Sequence, residues 1–518
     1  MEKDILVKKG KKGLFKINFG RTGVVFCLLL IQLAILFSGF VYLKEYFAYI
    51  LGGFTLLSTA TVIYILNEKI DPSFQLVWVV PVLLLPVFGC LLYIFVQLQI
   101  GTKYIAARLR ALEEQTKPYL QQEKQVADHL KETDMDMARL CSYLGSAAGA
   151  PVYQNTEVTY FPLGENKFEE MKKQLMLAEK FIFMEYFIVE EGIMWNSILE
   201  ILKEKVKKGV EVRFLYDGMC SIALLPNSYP EQLKKMGIQC KMFSPIKPML
   251  STHQNNRDHR KILVIDGHTA FTGGVNLADE YINQKQRFGH WKDTAIMLKG
   301  DAVRSFTLMF LQMWNVDIRK AEPYQNYLLP LAKEQENGFV CAYGDSPFDG
   351  EYIGEQVYLE ILNAAKEYVH IMTPYLILDN AMVRALSYAA KSGVETIIIM
   401  PHIPDKKYAY LLARTYYEEL IKAGVQIYEY TPGFVHAKVF VSDNSRAVVG
   451  TINLDFRSLY LHFECAALMV DNPVIEDIEA DFQKTLGKCQ KITWEECKSY
   501  GIVKKVTGKF LRLLAPLM

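Results

Sequence analysis

The sequence predicts an α/β protein of two homologous halves forming one pseudo-two-fold catalytic body, preceded by an α-helical membrane anchor. Three observations carry that expectation. A phrase is written twice, as His259-Arg-Lys261-(four residues)-Asp266 and His436-Ala-Lys438-(four residues)-Asp443. After each Asp, six residues lead to Gly273-Gly274-Val275-Asn276 and Gly450-Thr451-Ile452-Asn453. The flanks of both phrases repeat as well, and three long apolar stretches fill the first 100 residues.

The anchor comes first in the chain. Residues 1–21 hold seven Lys/Arg against Glu2 and Asp4, and the apolar stretches follow at about 23–43, 46–66 and 74–98. The first two contain no Asp, Glu, Lys or Arg. A helix rising 1.5 Å per residue needs ~20 residues to cross ~30 Å of hydrocarbon, so all three are long enough. Only Lys44 and Glu45 separate the first two, which suggests a tight hairpin, and Tyr64, Trp78 and Tyr93 lie towards span ends. The apolar region is too long for a cleaved signal peptide. Basic residues on both sides of the anchor (the tail, then Lys103, Arg108, Arg110 and Lys117) ask for the same, cytoplasmic side. Three full crossings cannot satisfy both, so the third stretch, interrupted by Pro81 and Pro86, is expected to kink or re-enter.

Residues 1–100 thus form the tail and anchor, and 101–150 a helical connector, with Leu109, Leu112, Leu120 and Leu130 set among charged residues. The first half is placed at 151–330. There Phe181–Met184 and Val212–Tyr216 read as buried strands around a helical 198–206, a βαβ arrangement. The second half is placed at 331–518. Lys208-Gly-Val-Glu-Val-Arg-Phe-Leu-Tyr216 resembles Ser392-Gly-Val-Glu-Thr-Ile-Ile-Ile-Met400, and Leu233-Lys-Lys-Met-Gly237 resembles Leu420-Ile-Lys-Ala-Gly424. Offsets of 184, 187 and 177 residues drift only by loop lengths, which marks a duplicated domain.

Composition excludes some classes. With 58 basic and 57 acidic residues in 518, the chain lacks the overall charge of a nucleic-acid binder. Nine scattered cysteines without Cys-x-x-Cys spacing argue against a zinc knuckle or disulfide framework.

The chemistry lies in the doubled phrase. His259 and Lys261 are two apart, so on an extended chain they share a face, and Ile262–Ile265 suits a buried strand. Val439–Val441 repeats that run, and Asp266-Gly267 and Asp443-Asn444 read as turns. Lys261, Lys438, Asn276 and Asn453 can hold the oxygens of a phosphodiester, with Thr451 a further hydroxyl donor where Gly274 has none. One imidazole can attack phosphorus while the other protonates the leaving alkoxide and then deprotonates the incoming hydroxyl. A carboxylate beside the acid would separate the two pKa values; Glu464 is the candidate on the second half and Glu280 on the first. For Asp266 and Asp443, turn-holding and direct chemistry are equal alternatives. Gly273 and Gly450 suit close backbone packing. No carboxylate cluster stands at metal-ligand spacing from the histidines, so neither a metal nor another cofactor is expected.

The double His-x-Lys-x4-Asp-x6-Gly-Gly/Thr-x-Asn pattern resembles the phospholipase D superfamily. Tyr160-Phe-Pro-Leu-Gly164, Glu185-Tyr-Phe, Leu215-Tyr-Asp-Gly218, Asn256-Arg-Asp-His-Arg-Lys261, Thr373-Pro-Tyr375 and Asn453-Leu-Asp-x-Arg-Ser458 are similar to bacterial cardiolipin synthases. The likeness runs from about residue 70 to the C-terminus. It implies a membrane-bound phosphatidyl transferase that turns two phosphatidylglycerol molecules into cardiolipin and glycerol through a phosphohistidine. It also implies catalytic roles for His259, Lys261, Asp266, His436, Lys438 and Asp443, and phosphate binding by Asn276 and Asn453. Analogy with single-nucleophile relatives points to His259 as the attacking residue. Gly274 departs from the Ser of many relatives, and the first apolar stretch exceeds their usual two-span anchor. The rivals are a hydrolytic phospholipase D, a transferase with another acceptor, and a catalytically dead membrane scaffold. The basic-apolar end (Lys504, Lys505, Lys509 and Arg512 among Val, Phe and Leu) is a candidate for holding the site at the interface. Oligomeric state is left open.

Overall fold

Alternating apolar runs become two mixed sheets of the same strand order. The structure, a computed structural model, describes residues 27–517 apart from 36, 39–40, 42–43, 98–99, 246–254, 320–321 and 330–337. The basic tail and parts of the 23–43 stretch lie outside the described residues.

In chain order the strands are β1 (Val152–Tyr153), β2 (Thr156–Phe161), β3 (Phe181–Tyr186), β4 (Glu211–Asp217), β5 (Gln239–Phe243) and β6 (Lys261–Ile265). Next come β7 (Thr269–Gly273), β8 (His290–Lys292), β9 (Ala295–Gly300), β10 (Phe339–Asp345), β11 (Tyr368–Met372) and β12 (Glu395–Pro401). The last six are β13 (Gln426–Tyr430), β14 (Gly433–Val435), β15 (Val439–Ser442), β16 (Arg446–Gly450), β17 (Glu464–Val470) and β18 (Cys489–Lys491).

The first sheet runs β2-β9-β7-β6-β3-β4-β5 and the second β1-β10-β17-β16-β15-β11-β12-β13-β18. Stripped of its two edge strands, the second repeats the first position by position. In each half the parallel trio (β3-β4-β5, β11-β12-β13) is joined by crossover helices, which parallel pairing requires. Ile193–Lys207 is one of them; it buries Met194, Trp195, Ile198 and Leu202 against the sheet, and Gly209 follows in the left-handed region (φ 85°). The two sheets face each other, with Ile262, Val264, Ala270 and Ile296 packed in one cluster with Val439, Ala447, Val449 and Ala467. One boundary shifts from the expected one: β1 pairs with β10 of the second sheet, so the first sheet begins at Thr156 rather than 151.

The connector belongs to the body. Asp134 caps Met135–Ala147 by accepting from the amides of Asp136 and Met137, and Leu130, Met137, Leu140 and Leu144 join the second half's core beside Val357 and Ile361. The anchor differs from three spans. The third apolar stretch is two helices, Pro72–Leu84 and Pro86–Gln97, broken at Leu85. A residue before proline is pushed out of the helical region, and Leu85 has φ −134° and ψ 75°. The pieces fold back closely enough that a Cβ on Gly89 would lie 2.5 Å from Val82 Cα. Among the described residues one helical run, 86–119, is long and apolar enough to cross a membrane; Leu51–Asn67 and Pro72–Leu84 are shorter apolar helices.

The turns after β6 and β15 hold the two aspartates. Asp266 and Gly267 (φ 53° and 68°) and Asp443 and Asn444 (53° and 49°) sit in the left-handed region, as tight hairpins demand. Asp266 accepts from the amides of Glu179, Lys180 and Phe181 at 2.7, 2.7 and 2.8 Å; Asp443 accepts from those of Lys366, Glu367 and Tyr368 at 2.9, 3.0 and 2.9 Å. Both carboxylates are thus engaged at the far ends of their strands from the histidines. The catalytic role assigned to them is corrected to a turn-holding one, because each ties its hairpin to the start of β3 or β11. Asp266→Ala should destabilise the fold by about 1–3 kcal/mol, the range for orphaned amide donors, while the folded fraction keeps its turnover. A melting curve with activity per folded molecule checks this; a thousandfold loss of turnover at unchanged melting would restore a chemical role.

Candidate active site

Each histidine stands just before its strand, His259 ahead of β6 and His436 ahead of β15, and each is held by the opposite half. The His259 amide donates to the Phe463 carbonyl at 2.9 Å, and the Phe463 amide donates to the Arg257 carbonyl at 2.8 Å. On the mirror side the His436 amide donates to the Lys292 carbonyl at 2.7 Å, continuing the parallel β14–β8 pairing. The two braces carry the two histidine partners. Glu464 lies 2.8 and 2.9 Å from His259 Nδ1, and Asp293 Oδ2 lies 2.7 Å from His436 Nδ1.

The carboxylates are therefore exchanged between halves. Glu464 had been assigned to its own half; it orients the first half's histidine. Glu280 is corrected outright, since its carboxylate pairs with Arg287 at 3.1 Å and the second half's histidine takes Asp293. Sequence reasoning missed Asp293, although a signal was present. Asp293-Thr-Ala295 and Glu464-Cys-Ala466 share an acid-x-Ala spacing, and the two alanines pair with the equivalent Gly273 and Gly450. Those glycines admit no side chain: a Cβ would come within 2.5 Å of Ala295 Cα and 2.3 Å of Ala466 Cβ.

Both lysines fold back onto the carbonyl of the histidine two residues earlier, and both are buried. Burial lowers Lys261 to about 8 and Lys438 to about 7. Burial, with Lys261 beside it, holds His259 well below the usual imidazole range; burial and Lys438 bring His436 down to about 4, against the pull of Asp293. The acids diverge. Burial pushes Glu464 up to about 8, whereas Asp293, although buried too, is held below the usual carboxylate range by His436 and Lys438. Two neutral imidazoles beside two marginally charged ammonium groups make a site poised for an anion.

The neighbours differ from expectation. The Thr451 hydroxyl is not free for phosphate: it donates to Glu464 and accepts from the Cys465 amide at 3.0 Å. Gly274 is its counterpart, and a Cβ there would lie 2.0 Å from Asp293 Oδ1, so glycine makes room for the shorter acid. Asn276 is engaged at both ends, accepting from the Ile188 amide at 3.0 Å and donating to the Tyr281 hydroxyl at 2.8 Å. Asn453 keeps a buried amide oxygen without a partner.

A third histidine joins the site. The His462 ring centre is 5.6 Å from that of His259; its buried nitrogens make no hydrogen bond, and Nδ1 stands 3.9 Å from Glu464 Oε1. Its equivalent, two residues before Asp293, is Trp291, 5.4 Å from His436. His259, His462 and Glu464 bring three ligand atoms within 4.8 Å, a grouping the spacing did not foretell. Burial lowers His462 well below its ordinary range, with Arg457, Lys261 and Arg257 adding to it. That field attracts an anion and repels a dication.

Both halves of the chain match known proteins. A family described as "Cardiolipin synthase, PLD-like domain" matches residues 171–314 and 358–486, and one described as "Phospholipase_D-nuclease N-terminal" matches 56–97. An uncharacterised protein of Streptococcus mutans serotype c is 51% identical over 88% of this chain and 99% of its own length. A cardiolipin synthase of Halalkalibacterium halodurans is 32% identical over 94% of this chain and 99% of its own length. The phosphatidylserine synthase structure from Haemophilus influenzae Rd KW20 shares the fold, with a TM-score of 0.54 and 13% identity, covering 74% of this chain and all of that one (100%).

Two outcomes follow from the charges. Asp293→Asn keeps the shape but inverts the hydrogen bond that fixes the His436 tautomer, so kcat should fall by about 10³–10⁴, while Glu280→Gln stays near wild type. Steady-state kinetics on the pair checks it, and equal losses would undo the assignment. The lowered lysines are charged below their pKa values and lose charge as pH rises through about 7 to 8. In this window kcat/KM should decline with rising pH; a profile flat to about pH 9 would contradict it.

Proposed function

The chain belongs to the phospholipase D superfamily as a phosphatidyl transferase of the cardiolipin synthase family, and we propose that it joins two phosphatidylglycerol molecules into cardiolipin, releasing glycerol. The observation that carries this reading is the exchanged pair of imidazole–carboxylate contacts, His259 with Glu464 and His436 with Asp293, at a site walled by Lys261 and Lys438.

In the first half-reaction His259 Nε2 attacks the donor's phosphorus while Glu464 holds Nδ1. The N–P bond forms, the bond from phosphorus to the glycerol oxygen breaks, and His436 delivers a proton to that oxygen. In the empty site His436 is neutral, but the bound phosphate offsets Lys438 and raises the imidazole's proton affinity, with ionised Asp293 stabilising the cation. In the second half-reaction His436 takes the proton from a glycerol hydroxyl of the second lipid; the new O–P bond forms as the N–P bond breaks. Lys261, Lys438 and Asn453 hold the non-bridging oxygens through both steps. No metal or cofactor enters these steps. The apolar N-terminal helices support a multi-pass seat in the cell membrane, and the basic residues on both flanks of the anchor favour a catalytic body on the cytoplasmic face.

Purified protein given labelled phosphatidylglycerol should yield cardiolipin and glycerol in equal amounts; phosphatidic acid as the main product would replace this reading with a hydrolase. His259→Ala and His436→Ala should each reduce turnover at least about 10³-fold, and chelators should leave it unchanged. Retained phosphatidyl labelling of His436→Ala, with loss of labelling in His259→Ala, identifies the nucleophile; the reverse pattern would exchange the two roles.

A further inference from the structure

The last helix, Ile502–Leu513, takes no part in the site and gives the core only its Leu511 side. It packs on Lys407–Ala423 along one side only: a Cβ on Gly508 would lie 2.6 Å from Thr415 Cγ2, and the Arg512 guanidinium stacks 4.3 Å over Tyr416. Ile502, Val503, Val506, Phe510 and Leu513 face away, and they are 78%, 74%, 62%, 63% and 43% exposed. At about 100° per residue these five fall within an arc of about 100°, nearly opposite the packed side at 505, 508, 511 and 512. Lys504, Lys505, Lys509 and Arg512 accompany them, and the helix contains no acidic residue.

Water does not favour such a stripe. An apolar row this exposed, on a helix whose charged residues are all cations, has the composition of a helix that lies in a lipid interface. Its position fits. The following turn, Ala515–Leu517, packs against the apolar helix Pro72–Leu84 and against Phe456–Tyr460, whose Arg457 donates to the Leu517 carbonyl at 3.0 Å. Phe74 of the anchor meets Phe456 and Tyr460 edge-on at 5.8 and 5.7 Å. The turn that follows the stripe thus joins it to the anchor and to Phe456–Tyr460, which begins three residues after Asn453.

We propose that the Ile502–Leu513 helix docks in the plane of an anionic lipid surface, its five apolar side chains among the acyl chains and its lysines level with the phosphates. This seat holds the Asn453 edge of the site at headgroup depth, and it rests on the membrane reading given above. The test uses the full chain in nanodiscs of mixed phosphatidylglycerol and phosphatidylcholine, with Cys27 and Cys489 replaced by Ser. Nitroxides at Val506 and Phe510 should be accessible to oxygen and shielded from a water-soluble nickel chelate, whereas one at exposed Lys391 should show the reverse. Chelate access at 506 and 510 equal to that at 391 would overturn the proposal. So would dipolar broadening between two chains labelled at 506, which would give the stripe to a second copy. As a functional arm, the combined substitution V503D/V506D/F510D should cut activity on bilayer phosphatidylglycerol about tenfold and leave activity on a short-chain, monomeric analogue unchanged. Loss on both substrates, or on neither, would count against it. A wild-type enzyme making phosphatidic acid would sink the synthase reading yet leave both arms interpretable.

Discussion

The structure depends on a reciprocal brace: each motif histidine, His259 and His436, is anchored, by backbone and by side chain, to the half of the molecule that does not contain it. The His259 amide and ring are held by Phe463 and Glu464; those of His436 are held by Lys292 and Asp293. Neither half has a complete site alone. If the sheets slid by one residue, both imidazoles would lose both partners together, because strand register sets which side chain faces the site. The shared core between the sheets therefore does more than stabilise; it fixes the distance between two reacting groups that no single domain could hold.

The brace also explains small departures from symmetry. One half has a long acid, Glu464, steadied by a hydroxyl, Thr451; the other has a short acid, Asp293, which needs the vacancy at Gly274. A methylene added to the carboxylate is matched by a side chain present or absent across from it. The electrical result is unequal. Asp293 is held ionised beside His436, whereas Glu464, pushed up to about 8, binds a proton more tightly than His259 and leaves that imidazole neutral. Duplication supplied two like sites, and one exchanged residue on each side divided their labour.

Much of this was legible in the sequence. The doubled phrase, the turns at Asp266 and Asp443 and the two parallel βαβ trios follow from spacing, because strand and helix periods and turn chemistry are local properties. What was not legible depends on contacts far apart in the chain. Asp293 is 143 residues from His436, and Glu464 is 205 from His259, so no local pattern ties acid to base. Asp266 and Asp443 look catalytic in a motif and prove to be amide acceptors only when the starts of β3 and β11 come beside them. Composition foretold helices for the anchor and its prolines a kink in the third stretch; the break falls at Leu85, before Pro86, while Pro81 stays inside its helix.

On the membrane reading proposed above, the placement of the site follows from the same brace. Phe456–Tyr460 begins three residues after Asn453 and carries Arg457 to the chain's last turn, so the site edge, the anchor helix Pro72–Leu84 and the final helix share one side of the second half. On the function proposed above, a lipid reaching Lys438 from that side would meet the field of Arg457, Arg257 and Lys406, the charges that help keep His462 neutral. Water meets the same positive wall but has no charge to be drawn by. An entrance that selects anions at a membrane thus raises the local concentration of phospholipid over its competitor before any hydroxyl is chosen.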